Sequence, residues 1–553
     1  MRTSLRFLFA LLAVGILAIL LLSLVAGYTS SLRFLLSYFH LGKYADRAFK
    51  LVTPSHFHLL QVLLLLFGLV LVYLIFNAGR IEGYLRRFLN SFVFRFRQTT
   101  NLYFILFVIL SLGIAVYFSL VMPVSFDEAF TYMNFSSRGL VASMTYYPKP
   151  NNHILHSLLT NLSLTLPFAP LFLMRLPTLF VNLLLLFVTY HFLSEQFSEK
   201  FALFTCSINA LFFYSIFYSY ESRGYELFAL FFVLSVYCSF KIVSAPSSRY
   251  YWICLVVSFI LGFYTMPCFL YPCLSLNMFI LLGRRRLTLY QVVSNLVAGC
   301  VVALLYAPIV IVNGLGALVA NEYVKPLSRA VVLSRLPGYF YSFLTEMSGW
   351  PAVVVIVFLA AGLLYLCLGP VANMKKYYNA PNMSNIRKLF FVVMLLSLPV
   401  FLLVHSVIPF PRTLYYYDIL ICVLCLSPFS AFIEKASFPV LFGLILSFAI
   451  VMCIRFNSLV RPYERDAFEA REMANKIADG NSFLVSSGLF DVYLGYYMKT
   501  RYKKSVEMIC FPVPGVNADT LAPNRFDYVV VDKVKDFTKI RKPLLSNDYV
   551  RVY

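Results

Sequence analysis

Long apolar runs, separated by short polar segments, fill most of this chain. Runs near the length needed to cross the hydrocarbon core of a bilayer, about 20 residues, lie near residues 5–27, 57–77, 102–122, 169–192, 200–219, 224–241, 250–267, 269–283, 290–312, 351–369, 389–408, 413–432 and 436–455. The pattern predicts about thirteen membrane-spanning helices. The first run is longer than the apolar core of a signal peptide and no small-residue cleavage site stands out, so we expect a membrane anchor.

Two segments follow a different pattern. In 123–168, the stretches 127–140 and 153–166 carry apolar residues at helical spacing, which predicts amphipathic helices lying along the membrane interface. After residue 455 the long apolar runs stop. There, 461–479 and 491–499 have helical patterns, while 482–486 and 526–532 have strand patterns.

The predicted fold is therefore a polytopic α-helical membrane protein with a small C-terminal α/β domain. Residues 1–100 would form two N-terminal transmembrane helices and a basic cytoplasmic linker. Residues 101–455 would form the transmembrane core, with 123–168 as its first outer loop. Residues 456–553 would form the α/β domain, in the periplasm or a lumen.

Composition and charge support a membrane protein with a defined orientation. Of 553 residues, 61% are hydrophobic and 13% charged, and the mean hydropathy is +0.79. Much of the net charge of +22 comes from short loops near 80–97, 284–286 and 375–388. Short basic loops stay on the cytoplasmic side, so we expect no nucleic-acid partner, and segments 28–56, 123–168, 314–350 and 456–553 would lie outside. Walker and Rossmann glycine motifs are absent from the sequence, which gives ATP-driven transport no support.

Polar residues gather at the predicted outer ends of the spans, and this is the strongest functional signal in the sequence. Ionisable groups at membrane depth are costly and mark functional sites. The set consists of Asp127, Glu128, Lys149, Asn151, Asn152, His153, Arg175, Glu221, Arg223 and Arg412.

Two adjacent acids, Asp127 and Glu128, follow the span 102–122. Neighbouring side chains on a helix point about 100° apart, so we expect one carboxylate, preferably Asp127, to face a catalytic site. The other acid would cap a helix N-terminus, where negative charge is favoured.

The basic residues at this depth indicate an anion site, because arginine suits bidentate phosphate contacts. Each also has a structural interpretation. Arg175 and Arg412 would serve equally as interface anchors, and Glu221 and Arg223 would serve as a pair with each other. His153 is either a hydrogen-bonded loop residue or, with Asp127, part of a metal site.

The order of these motifs resembles GT-C fold glycosyltransferases, above all the protein O-mannosyltransferase and aminoarabinose transferase group. The motifs are Asp127-Glu128 after the first core span, Lys149-Pro150-Asn151-Asn152-His153, Met174-Arg175-Leu176-Pro177, Glu221-Ser222-Arg223-Gly224-Tyr225, and Pro411-Arg412 before a late span. The resemblance covers about residues 100–430.

The resemblance implies transfer of a sugar from a polyprenyl-phosphate donor to an acceptor hydroxyl, with inversion at the anomeric carbon. Asp127, or else Glu128, would be the general base, and cations would stabilise the leaving phosphate. Donor-phosphate or substrate contacts would come from Lys149, Asn152, His153, Arg175, Glu221, Arg223, Tyr225 and Arg412. No cofactor would be required, and a divalent metal remains open.

The implied partners are a polyprenyl-phosphate sugar and an acceptor that is a lipid, a glycan or a protein. With no endoplasmic-reticulum retrieval signal, we expect a bacterial inner membrane and a site facing the periplasm. The alternative is a transporter or flippase of a lipid-linked or anionic solute, although transporters usually carry their charges near the midplane.

Overall fold

The computed structural model describes residues 4–38, 49, 53–91, 99–148, 150–244, 249–284, 288–319, 326–368, 383–486, 489–504, 506–510, 526–532, 544–546 and 549–552. Most of this part of the chain is helical. The α-helices are α1 (Ser4–Tyr38), α2 (Pro54–Ser91), α3 (Thr99–Val121), α4 (Phe126–Asn134), α5 (Leu140–Thr145), α6 (Ile154–Ser163), α7 (Pro170–Gln196), α8 (Glu199–Asn209), α9 (Phe213–Tyr218), α10 (Tyr225–Ser244), α11 (Arg249–Thr265), α12 (Leu270–Gly283), α13 (Thr288–Asn313), α14 (Gly316–Val319), α15 (Arg329–Ser348), α16 (Ala352–Leu368), α17 (Met383–His405), α18 (Asp418–Leu426), α19 (Ser430–Lys435), α20 (Phe438–Tyr463), α21 (Arg465–Lys476) and α22 (Phe490–Thr500). Four 3₁₀ segments, Ser136–Arg138, Pro267–Phe269, Pro411–Tyr417 and Ser427–Phe429, join some of them.

Among the described residues, eight helical segments are long and apolar enough to cross a membrane, or up to ten if each of two bent pairs is one span. The eight are Phe9–Phe34, Thr100–Val121, Pro170–Gln196, Tyr225–Ser244, Thr288–Asn313, Asn385–His405, Pro411–Lys435 and Phe438–Tyr463. The predicted polytopic membrane protein is confirmed. The number thirteen stays a prediction.

Short and broken helices account for the difference in number. The apolar run 200–219 forms two pieces, α8 and α9, neither of which is long enough to span a bilayer. The runs 250–267 and 269–283 form helices of under 18 residues, Tyr250–Thr265 and Pro267–Gly283. Apolar composition alone does not separate a short buried helix from a full span.

Beyond α20, the chain forms a small α/β unit. Its strands are β1 (Ser482–Ser486), β2 (Glu507–Cys510), β3 (Tyr528–Asp532), β4 (Leu545–Ser546) and β5 (Val550–Val552). They form a sheet in the order β2-β1-β3-β5-β4. Strand β1 pairs in parallel with β2 and β3, whereas β5 pairs antiparallel with β3 and β4.

This unit packs directly on α4. Buried residues of α4, including Ala129 and Tyr132, share one hydrophobic core with α21, α22 and the sheet. The rings of Tyr132 and Tyr496 meet edge to face at 5.3 Å, and Lys499 lies 5.4 Å from the centre of the Tyr132 ring. The α/β unit therefore holds the helix that carries the two adjacent acids.

Candidate active site

Helix α4 begins with a complete capping box. The backbone N–H of Glu128 donates to the Ser125 hydroxyl, and the backbone N–H of Ser125 donates to the Glu128 carboxylate. Such reciprocal bonds satisfy N–H groups that a helix leaves without partners at its start. The cap fixes Asp127 and Glu128 in the first turn, where their side chains point in different directions.

Glu128 and Arg175 form a completely buried ion pair. Arg175 Nη2 lies 2.6 Å from Glu128 Oε2, and Arg175 Nε donates to Glu128 Oε1 at 2.9 Å. The other N–H groups of Arg175 donate to the carbonyls of Ser119, Met122 and Pro123. All five donors of the guanidinium are thus used, and none remains for the substrate phosphate that the sequence analysis assigned to it.

The carboxylate of Glu128 is equally occupied. Besides Arg175, it accepts the N–H of Ser222 at 2.7 Å and the N–H of Ser125 at 3.1 Å. The geometry does not fit the predicted alternative that Glu128 acts as a base, because each of its oxygens accepts two hydrogen bonds. Instead, Glu128 and Arg175 together tie the end of α3, the start of α4, α7 and the loop before α10 to one another.

Asp127 lies on the other side of the helix start and keeps access to solvent, with its side chain 17% exposed. Its Oδ2 lies 3.1 Å from Arg412 Nη1 and 3.9 Å from Arg223 Nη2. Burial raises the pKa of Asp127, but the charges of Arg223 and Arg412 and a hydrogen bond with Asn151 outweigh it. The pKa is therefore lowered, and Asp127 is ionised at neutral pH.

The loop between α9 and α10 aims Arg223 at this carboxylate. Arg223 Nη1 donates to Thr131 Oγ1 at 2.9 Å and to the carbonyl of Asn151 at 2.8 Å, while Nη2 lies 3.1 Å from His153 Nε2. Arg223 Nε is buried and has no partner among the described residues. Arg412 enters from the 3₁₀ turn before α18 and is one-third exposed, so it is the more accessible cation.

His153 braces the same loop. Its Nδ1 accepts the backbone N–H of Gly224 at 2.8 Å, and its ring meets that of Tyr225 edge to face at 5.1 Å. Burial and the charge of Arg223 hold the pKa of His153 well below its usual range, which keeps the imidazole neutral. Both ring nitrogens contact other groups of the protein, and the part of the chain that the structure describes holds no group of three or more His, Cys, Asp or Glu side chains placed for a metal.

Glu221 lines a small chamber beside the ion pair. It accepts the Ser125 hydroxyl at 2.8 Å and is not within ion-pair distance of Arg223, its predicted structural partner, in the described part of the chain. Burial and the neighbouring carboxylates of Glu128 and Asp127 raise the pKa of Glu221 to about 8. Glu464 lines the same chamber, and its pKa is raised well above the usual range by burial and by Glu221.

Two other predicted site residues are Asn152, which forms bonds within its own loop, and Lys149. Asn152 is buried and donates to the carbonyls of Ser143 and Tyr146, while its oxygen accepts the Ser157 hydroxyl. All these bonds brace the loop and leave little of Asn152 for a substrate. Lys149 lies outside the described residues.

Glu464 and Asn151 lie near the site, although neither was among the residues predicted to contact the substrate. Glu464 follows the last span within a charged run, Arg461-Pro462-Tyr463-Glu464-Arg465-Asp466. Such a run marks a membrane edge and does not by itself indicate a chamber. Asn151, by contrast, belongs to the polar residues at the predicted outer ends of the spans. Its position beside Asn152 could have indicated that it lies at the site.

The fold and site define a multi-pass membrane protein that holds a partly exposed carboxylate between two arginines at one end of its helices. No protein-family model and no curated protein matches the chain. Among solved structures, it is similar to ArnT from Cupriavidus metallidurans in the apo state, at 13% identity and a TM-score of 0.48, covering 81% of this chain and 97% of that one.

The same ArnT bound to undecaprenyl phosphate matches at 13% identity and a TM-score of 0.46, over 81% of this chain and 97% of that one. The Archaeoglobus fulgidus oligosaccharyltransferase in complex with Zn and sulfate matches at 13% identity and a TM-score of 0.45, over 77% of this chain and 68% of that one. These structures belong to the GT-C fold glycosyltransferases, the class that the sequence motifs resemble. At this level of likeness, none of them assigns a residue role or an activity to this chain.

Proposed function

We propose that this protein transfers a sugar from a polyprenyl-phosphate donor to an acceptor hydroxyl, with inversion, at the membrane surface where α4 lies. That surface would be the periplasmic face of a bacterial inner membrane. The observation that carries the proposal is the carboxylate of Asp127, ionised, partly exposed and 3.1 Å from an accessible arginine, Arg412. A base and a phosphate-binding cation are thereby placed side by side.

In the proposed reaction, the acceptor oxygen attacks the anomeric carbon and passes its proton to Asp127. The bond between the anomeric carbon and the phosphate oxygen breaks, and the polyprenyl phosphate leaves with that electron pair. Arg412 and Arg223 would stabilise the charge that develops on the phosphate. Arg175 has no role in this step, since it holds Glu128 and the helix ends in place.

The contact between Asp127 and Arg412 would link donor binding to base strength. A phosphate that binds Arg412 adds negative charge beside Asp127 and competes for the cation that lowers its pKa. Both effects raise the pKa of the carboxylate, so Asp127 becomes a stronger base when the donor is present. Catalytic bases work best when their pKa lies near the operating pH.

The test is transfer of a radiolabelled sugar from a panel of polyprenyl-phosphate donors by the full-length protein in nanodiscs. Wild type is compared with Asp127→Asn, with and without a metal chelator. We expect donor-dependent transfer that falls by about 10²- to 10⁴-fold in the variant, the range for loss of a general base. Transfer that is unchanged in a folded Asp127→Asn protein would move the base elsewhere.

The same preparations separate the transferase from the transporter. In sealed vesicles, movement of the labelled lipid or solute across the membrane without formation of a new glycoside would favour a transporter or flippase. Accumulation of the new glycoside would favour the transferase.

A further inference from the structure

An open groove of about 640 Å³ lies where α20 meets α21. Its charged and aromatic lining residues are Arg461, Arg465, Phe468, Glu469, Arg471 and Glu472. It is separate from the surroundings of Asp127, and nothing in the proposed transfer uses its arginines.

Two arginines of this groove lie close to the same aromatic ring, Phe468. The guanidinium carbon of Arg461 lies 5.7 Å from the centre of the Phe468 ring, and that of Arg471 lies 5.4 Å from it. Arg471 Nη1 also donates to the carbonyl of Val121 at 3.1 Å. The two cations thus both lie within 6 Å of the centre of the Phe468 ring.

The two acids of the groove are already paired with other basic residues. Glu469 accepts from Arg465 at 2.9 Å, and Glu472 accepts from Lys476 at 2.7 Å. Among the described residues, no carboxylate lies in ion-pair contact with Arg461 or Arg471. The acids that line the groove are thus engaged by Arg465 and Lys476 and not by these two arginines.

The position of these arginines sets the depth of the groove relative to a bilayer. Arg461 lies in the last turn of the span that ends at Tyr463. Arg471 binds the carbonyl of Val121, the last residue of the span Thr100–Val121. Two spans thus end beside the groove, which places it at the level of lipid headgroups.

We infer that this groove binds the phosphate of an anionic phospholipid headgroup, with Arg461 and Arg471 as its ligands. Arginine suits phosphate because its planar fork donates two parallel hydrogen bonds, and anionic headgroups attract basic side chains at the membrane surface. Phe468 also lines the small chamber beside Glu221 and Glu464. A headgroup bound here would lie one aromatic side chain away from that chamber.

The experiment measures binding, which does not depend on transfer. Purified full-length protein in detergent is titrated with dihexanoyl phosphatidylglycerol, dihexanoyl phosphatidylcholine or inorganic phosphate, and the dissociation constant of each is measured by calorimetry. Wild type is compared with the double variant Arg461→Gln/Arg471→Gln. The control is Arg329→Gln/Arg335→Gln, which removes the same charge from two exposed arginines of α15.

We expect phosphatidylglycerol to bind wild type more tightly than phosphatidylcholine, and to bind the groove variant about tenfold more weakly, a rise of one unit in log Kd. The control should stay within about twofold of wild type. Equal affinity of wild type and the groove variant for phosphatidylglycerol would overturn the inference. If inorganic phosphate binds as tightly as phosphatidylglycerol, the ligand of the groove is a free phosphate and not a lipid headgroup.

If the double variant does not fold, Arg461→Gln alone provides the test. The Arg461 side chain is exposed, so its loss leaves packing largely intact. A single variant that binds phosphatidylglycerol as wild type does would contradict the assignment of Arg461.

Discussion

Asp127 Oδ2 lies 3.1 Å from Arg412 Nη1. The two residues are far apart in the sequence, near the beginning and the end of the segment that forms the transmembrane core. Arg223 approaches the same oxygen at 3.9 Å from a third segment. The carboxylate is thus held ionised by cations that only the folded chain brings together. Its availability as a base depends on what happens to those cations when a substrate phosphate arrives.

Replacement of Arg412 by glutamine should change both the rate of transfer and its pH dependence. The charge of Arg412 lowers the pKa of Asp127, so its loss raises that pKa. The ionised base is lost as the pH falls through the pKa, and the acid side of the pH profile should move to higher pH. Loss of the phosphate contact should also reduce kcat/KM by about 10²-fold.

The measurement is kcat/KM for sugar transfer between pH 4 and 8, because this parameter reports the free enzyme. Arg501→Gln, which removes an exposed arginine of the α/β unit, is the control and should leave the profile unchanged. An Arg412→Gln profile with the shape of wild type would show that Asp127 does not titrate as the base.

Replacement of Arg175 by glutamine should destabilise the protein much more than replacement of Arg412. Arg175 and Glu128 are buried with side-chain exposures of 1% and 0%, so the variant leaves a buried carboxylate without its cation. Breaking such a pair costs about 3–5 kcal/mol. Arg412 is one-third exposed, so Arg412→Gln should cost far less.

The measurement is the midpoint of thermal unfolding in detergent for the two variants and wild type. Arg175→Gln should unfold at a clearly lower temperature, or fail to accumulate as folded protein. A variant that keeps the wild-type midpoint but loses transfer would return Arg175 to the substrate contacts that the sequence analysis predicted.

The contrast between Asp127 and Glu128 shows how far sequence reasoning reaches at this site. Helical geometry predicts that two adjacent acids face different ways, and a helix start favours an acid as a cap. Glu128 is indeed the acid in the capping box. Its pairing with Arg175 was not predictable, because the two residues lie in different helices and only tertiary packing brings them together.

The placement of Arg175, Arg412 and Glu464, by contrast, could not be predicted from the sequence. Arg175 and Arg412 both lie near the ends of apolar runs, so the sequence predicts phosphate binding equally for both. The structure buries one and leaves the other accessible. Glu464 follows α20 directly and lines the chamber that holds Glu221, and no local sequence pattern predicts that placement.

Stability should fall as the pH rises from about 5 to 8, in part because of Glu221. In the folded protein its pKa is about 8, above its ordinary value of 4.5. Between these values the folded state binds a proton that the unfolded state has lost, so raising the pH favours unfolding. The loss levels off above the folded pKa, and its upper limit is about 1.4 kcal/mol per pH unit.

Thermal unfolding midpoints of wild type and Glu221→Gln, measured at intervals from pH 5 to 8, test this expectation. Glutamine does not titrate, so the variant should show a smaller decline across the range. Part of the decline should remain, since burial raises the pKa of Glu464 even when the charge of Glu221 is removed. Identical slopes for the two proteins would mean that Glu221 is ionised throughout this range.

Gly224 is the position where an added methyl group should disturb the site most directly. A Cβ at Gly224 would lie 2.8 Å from Thr265 Cγ2 and 2.9 Å from His153 Cβ, both closer than such atoms approach in folded proteins. Its N–H donates to His153 Nδ1, and the loop carries Arg223. Gly224→Ala should therefore displace His153 and Arg223 and cost about 1–3 kcal/mol of stability, as overpacking does.

Gly299→Ala in α13 is the matched control, because a Cβ there meets nothing within 4 Å. In a helix interior, this change should be neutral or stabilise by about 0.5–1 kcal/mol. Both variants are compared with wild type by unfolding midpoint and by sugar transfer. If His153 and Arg223 are positioned through Gly224, transfer falls in Gly224→Ala and survives in Gly299→Ala. Equal transfer by the two would mean that the loop adjusts to the methyl group without moving Arg223 away from Asp127.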